Sequence, residues 1–153
     1  PDSADARPPL TPATPRSGGY GRHKPPDELV DYGNGHIPSS ALAAVGDTGH
    51  LLYGPAATAL NTLIADAAED GVTVGITDSY RSYGAQEDLA GRKGLYSQGG
   101  LAARPGTSNH GWGLATDLRL DGAALAWMRE NASRYGFVED VPREPWHWTY
   151  RPD

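Results

Sequence analysis

Two histidines stand in company that suggests chemistry. One lies in Ser108-Asn109-His110-Gly111-Trp112-Gly113-Leu114-Ala115-Thr116-Asp117, the other in Glu144-Pro145-Trp146-His147-Trp148. His110, Asp117 and His147 make a set of two imidazoles and one carboxylate. A catalytic zinc site typically takes three such protein ligands and leaves a fourth position to water. Glu144, just upstream of His147, would stay off the metal and hold that water as general base. On spacing alone a blander reading also fits: histidines packed among aromatics, and Asp117 paired with Arg119 or Arg81. His-x6-Asp has no mechanism of its own as a motif. His23, His36 and His50 fall in tail or loop and read as solvated.

These residues need elements to hold them. Ala56, Leu60, Leu63, Ile64, Ala67 and Ala68 recur at helical spacing, with Pro55 at the first turn and Gly71 as the stop. Residues 72–78, Val-Thr-Val-Gly-Ile-Thr-Asp, are short and β-branched and predict a strand. A weaker helix is expected over 83–96, where Gly84, Gly91 and Gly94 lower the propensity. Residues 97–109 read as loop, and residues 113–120 alternate like a half-buried strand. Asp121 suits the N-cap of a helix that buries Ala124, Leu125, Met128, Ala132 and Tyr135 and ends at Gly136. A last strand is expected over 146–150. Residues 31–54 are rich in Gly and Pro and read as mostly loop. Helices and strands mix without a βαβ repeat, which predicts an α+β fold with a small antiparallel sheet and flanking helices.

Composition narrows the function. The chain has 153 residues, enough for one domain and a tail. Residues 1–26 alternate Pro with Ser, Thr, Ala and Gly, and only Leu10 and Tyr20 could anchor them. We read them as a flexible or polyproline-like linker and residues 27–153 as the folded domain. Lys and Arg number 13 against 19 Asp and Glu, a net charge of −6 that argues against a nucleic-acid binder. No apolar run approaches the roughly 18–20 residues of a membrane span. Cysteine is absent, which removes thiolate chemistry, disulfides and cysteine-ligated zinc. The chain opens Pro1-Asp2-Ser3 without a signal peptide, as expected of a cytosolic protein or of one whose targeting segment is missing from this chain.

Ser108, His110, Gly113, Ala115 and Asp117 match the pattern S-x-H-x-x-G-x-A-x-D. Glu144-x-x-His147-Trp148 follows it, and Ser79-Tyr80-Arg81-Ser82-Tyr83-Gly84-Ala85-Gln86 precedes it as S-x-Y-R-S-x-x-x-Q. With these three ordered blocks the chain resembles the VanY-type zinc D-alanyl-D-alanine carboxypeptidases of the LAS metallopeptidases, the hedgehog/D-Ala-D-Ala peptidase fold. The resemblance runs from about Asp27 to Arg151. It implies zinc bound by His110, Asp117 and His147, and Glu144 as catalytic base. It implies Arg81 near the scissile carbonyl or the substrate's terminal carboxylate, with Gln86 and Ser108 helping to hold that carboxylate. The implied substrate is a peptidoglycan stem peptide ending in D-Ala-D-Ala, from which the terminal D-alanine is removed. The implied setting is a secreted or envelope-facing monomer, with the Pro-rich segment as a tether. Trp112, Trp146 and Trp148 would shape the cleft or pack the core. Many relatives carry a cysteine pair that this chain lacks, a difference that bears on stability rather than chemistry. Glu rather than Asp at position 144 matches the carboxypeptidase branch. The rivals are an endopeptidase on the same stem, separated by its product, and a non-catalytic wall-binding module with structural zinc. Glu144 argues against the module, since a closed structural site needs no general base.

Overall fold

Helix α1, Gly54–Glu69, supplies the largest apolar face. The computed structural model describes residues 24–152, so the linker reading of residues 1–26 falls almost wholly outside the described residues, and His23 with it. Pro55 sits in the first turn of α1. At its far end Gly71 takes φ +78°, and Val72 N–H returns to Ala67 O at 2.9 Å, so the last carbonyls are satisfied by a left-handed stop. Ala56, Ala57, Leu60, Leu63 and Ala67 are buried. Ala68, expected on that stripe, is exposed, and Ala57 takes part instead.

The face of α1 packs against a four-stranded antiparallel sheet: β3 Gly75–Asp78, β4 Ala115–Arg119, β6 His147–Tyr150 and β5 Phe137–Val138, in that spatial order. Leu118, Phe137 and Trp148 join Leu60, Leu63 and Met128 in one core. Successive strand residues point to opposite faces. Leu118 and Trp148 therefore face the core, while Asp117, His147 and Thr149 face the other way. The expected strand over 72–78 begins only at Gly75, because the ladder with β4 ends at the pair Gly75–Arg119 and leaves Val72–Val74 without a partner strand.

Helix α2, Tyr83–Lys93, stops short of the expected 96 because Gly94 turns to φ +75°. Helix α3, Gly122–Asn131, is capped by the Asp121 carboxylate, which accepts from Ala124 N–H at 2.8 Å. It tightens into a 3-10 turn, Ala132–Tyr135, before Gly136. The segment read as loop, 31–54, holds a two-residue hairpin, β1 Ala43–Ala44 with β2 Leu51–Leu52, and 3-10 turns at Val30–Tyr32 and Ser39–Ala41. The fold is α+β, with small antiparallel sheets and, among the described residues, three α-helices. Among the described residues no helix is long and apolar enough to cross a membrane.

Candidate active site

Asp117 lies in mid-sheet, and its ladder partner across β4 and β6 is His147. Strand register thus places one carboxylate and one imidazole side by side on the face away from the core. His110 arrives differently. It sits in a 3-10 turn, Asn109–Trp112, whose N-cap Ser108 accepts His110 N–H at 3.1 Å. The turn is pinned from several sides. Arg81 N–H donates to His110 O, Gly35 N–H to Gly111 O, and Asn34 Nδ2 to Ser108 O. A Cβ at Gly111 would collide with the Asn34 side-chain amide, so any other residue there would displace Asn34 from its bond to Ser108 O. Gly113 leaves the turn at φ +71°, hard against the Tyr53 backbone.

The three side chains converge. Asp117 Oδ1 is 3.2 Å from both His110 Nε2 and His147 Nδ1. The two imidazole rings meet edge to face with centroids 5.0 Å apart. One donor atom from each of the three residues lies within 4.8 Å of the others, and the set is mostly buried. Each ring's remaining nitrogen is already engaged. His110 Nδ1 donates to Ser79 O at 2.8 Å, which leaves Nε2 with a free lone pair. His147 Nε2 lies 3.3 Å from Thr149 Oγ1, and that hydroxyl donates to Asp140 Oδ1 at 2.9 Å. Arg151 in turn stands 3.4 Å from Asp140 Oδ2. Both tautomers are therefore set so that lone pairs face Asp117, as metal ligation requires. The donor set also fits a tetrahedral cation by distance. Bonds of ~2.1 Å give a tetrahedral edge of about 3.4 Å, close to the 3.2 Å separations present. Burial pushes the Asp117 carboxyl up; only with His110 and His147 protonated on the nitrogens that face it, a state without ligating lone pairs, is it held far below the ordinary carboxylate range.

Arg81 enters from beyond the end of β3. Its Nε and Nη2 donate to Asp78 Oδ2, its Nη1 donates to Gln86 Oε1 at 2.7 Å, and Nη2 stands 3.7 Å from Asp117 Oδ2. Of the two arginines offered by the sequence as partners for Asp117, the structure brings up Arg81. Gln86, at 3% exposure, spends its amide oxygen on Arg81, while its Nε2 donates to Ala103 O at 2.8 Å. It reaches the site through Arg81. Ser108 is buried at the foot of the His110 turn. Glu144 is buried, and its carbonyl accepts His147 N–H at 3.0 Å, so a tight turn links the carboxylate to His147. Its Oε2 accepts from the Tyr96 hydroxyl at 2.7 Å.

Sequence reasoning missed Tyr96, Asp78, Asp140 and Thr149. None belongs to a spaced motif; the residues they serve lie up to 48 positions away. His50, expected in solvent, is half-buried with Nδ1 2.9 Å from Ser79 Oγ, because the β1–β2 hairpin carries it against β3. His36 is exposed and stacks on Tyr83. Trp148 belongs to the core, Trp146 is 38% exposed, and Trp112 is half-buried.

The family model for VanY, D-alanyl-D-alanine carboxypeptidase, matches residues 49–153. A D-alanyl-D-alanine carboxypeptidase of Enterococcus faecalis (strain ATCC 700802 / V583) is 31% identical over 120 residues, 60% of this chain and 45% of that protein. The chain spans less than half the length of the curated relatives it matches. Among solved structures, a mutant of the vancomycin-resistance D,D-pentapeptidase VanY from a VanB-type resistance cassette, in complex with Zn(II), superposes with TM-score 0.61 at 27% identity. That match covers 74% of this chain and 82% of the other. VanYB in complex with D-alanine-D-alanine gives the same score and identity over 74% and 80% of the two chains.

Proposed function

The chain belongs to the VanY family of D-alanyl-D-alanine carboxypeptidases, and on that footing we propose that residues 27–153 form a zinc peptidase domain that removes the terminal D-alanine from peptidoglycan stem peptides. The observation that carries this reading is the convergence of His110, Asp117 and His147, each imidazole turned by its outer hydrogen bond to offer a lone pair. Zinc held there would polarise the scissile carbonyl and acidify the attacking water.

The chain's own residues do the rest. Glu144 accepts a proton from the water as its oxygen bonds to the carbonyl carbon. It then passes that proton to the nitrogen of the terminal residue as the C–N bond breaks, so one water is consumed and free D-alanine leaves. Arg81 places a fixed positive charge beside Asp117, where the developing oxyanion is stabilised. Asp78 and Gln86 hold the guanidinium so that it need not reorganise during the reaction. Ser108 fixes the backbone of the His110 turn and remains the proposed donor to the substrate carboxylate. The buried Glu144 argues for an enzyme over a structural-zinc module. Such a substrate puts the domain's work at the cell wall, with residues 1–26 as its tether.

Mass spectrometry of muropeptides after incubation with the zinc-loaded chain tests the reading. Stems shortened by one D-alanine, with free D-alanine in solution, are expected. Stems cut at an internal bond would make the chain an endopeptidase, and unaltered stems that nonetheless retain the protein would make it a binding module.

A further inference from the structure

Glu144 is useful as a base only if one of its oxygens is kept for water. We propose that Tyr96 is the positioning residue that secures this, by tying Glu144 Oε2 so that Oε1 faces the reaction. The inference rests on the carboxypeptidase reading above.

Tyr96 opens a 3-10 turn, Tyr96–Gln98, in a loop that closes on itself. Tyr96 N–H donates to Ala102 O at 2.8 Å, Ala102 N–H to Gly94 O at 2.9 Å, and Gly100 N–H to Leu95 O at 2.8 Å. The closure is tight. A Cβ on Gly100 would overlap the Gly94 carbonyl, so only glycine fits there. This loop delivers the phenol to Glu144 Oε2 at 2.7 Å. Among the described residues Glu144 Oε1 accepts no hydrogen bond. A free carboxylate turns broadly about its last torsion, whereas a hydrogen bond to a charged acceptor fixes it. Burial, and then Glu144 itself, push the Tyr96 hydroxyl well above its usual value, so it stays a donor throughout the range in which Glu144 must be ionised.

The test is Tyr96→Phe, which removes one oxygen and keeps the ring. Steady-state kinetics on a stem pentapeptide with a free D-Ala-D-Ala terminus would be read beside zinc content and thermal midpoint. The expected result is kcat lowered about 10- to 100-fold, as for loss of a hydrogen bond to a charged group. KM, zinc content and midpoint should be unchanged. A kcat within twofold of wild type would overturn the proposal. A raised KM at unchanged kcat would overturn it too, making Tyr96 a substrate contact. Lost zinc would also count against it, by showing that the loop supports the metal ligands. An active wild type with an unaffected variant removes the Tyr96 role alone; a wild type that releases no D-alanine removes the carboxypeptidase reading and this role together.

Discussion

Asp117 and His147 face one another across an antiparallel ladder, whereas Arg81, Gln86, Tyr96 and Glu144 come from a strand end, a helix and two loops, and meet only through side chains. The first pair is fixed by backbone. A slip of β6 by one residue along β4 would send His147 into the core and bring Trp148 out, an exchange the packed core forbids. The second group is fixed by polar contacts: two from Arg81 to Asp78, one to Gln86, and one from Tyr96 to Glu144. The half proposed to hold the metal therefore inherits the rigidity of the sheet. The half proposed to face the substrate depends on charged hydrogen bonds, each of which one substitution can remove. His110 bridges the two, since its turn is pinned by both Asn34 and Arg81.

The largest effect should come from breaking the sheet half. His147→Ala removes one of the three proposed ligands, and we expect both zinc binding and D-alanine release to be lost. Equilibrium dialysis with zinc beside an amino-acid assay checks this, and retained zinc would show that the ladder pair is not the metal site. Next comes the polar half. Arg81→Lys keeps the charge but cannot reach Asp78 and Gln86 together, because an ammonium lacks the planar fork. We expect kcat/KM to fall about 10- to 150-fold with zinc content unchanged. A fall in zinc would instead couple the two halves. The smallest effect is expected from the support behind His147. Thr149→Val keeps the branched shape while removing the hydroxyl between His147 and Asp140. Zinc affinity should weaken by about tenfold, the low end for such outer contacts. Chelator competition measures it, and an unchanged affinity would mean that strand register alone orients His147.

The contrast also explains what the sequence made legible. The ladder half could be read because its residues recur at fixed spacing on strands whose alternation is visible, Ala115, Asp117 and Arg119 against Thr116 and Leu118. Helix α1 could be read because five of its residues bury one stripe. The two-residue strands β1, β2 and β5 could not, since two residues carry no period. The beginning of β3 at Gly75 depends on where its partner ends, which a local pattern does not encode. Gln86 was expected beside Arg81 at the substrate because the resemblance places it there; that its amide oxygen accepts from Arg81 is a contact no spacing shows. Tyr96, Asp140 and Thr149 gain their parts only when loops distant in sequence are folded against the strands.

On this reading metal binding and proton transfer are separate tasks carried by separate parts of one site. Glu144→Gln tests it most directly, with zinc content and D-alanine release measured on the same sample. Glutamine keeps the shape and can still accept from Tyr96, but it cannot take a proton from water. Full zinc occupancy is expected, with release slowed by about 10²- to 10⁴-fold. Release at the wild-type rate, or zinc lost along with activity, would contradict it.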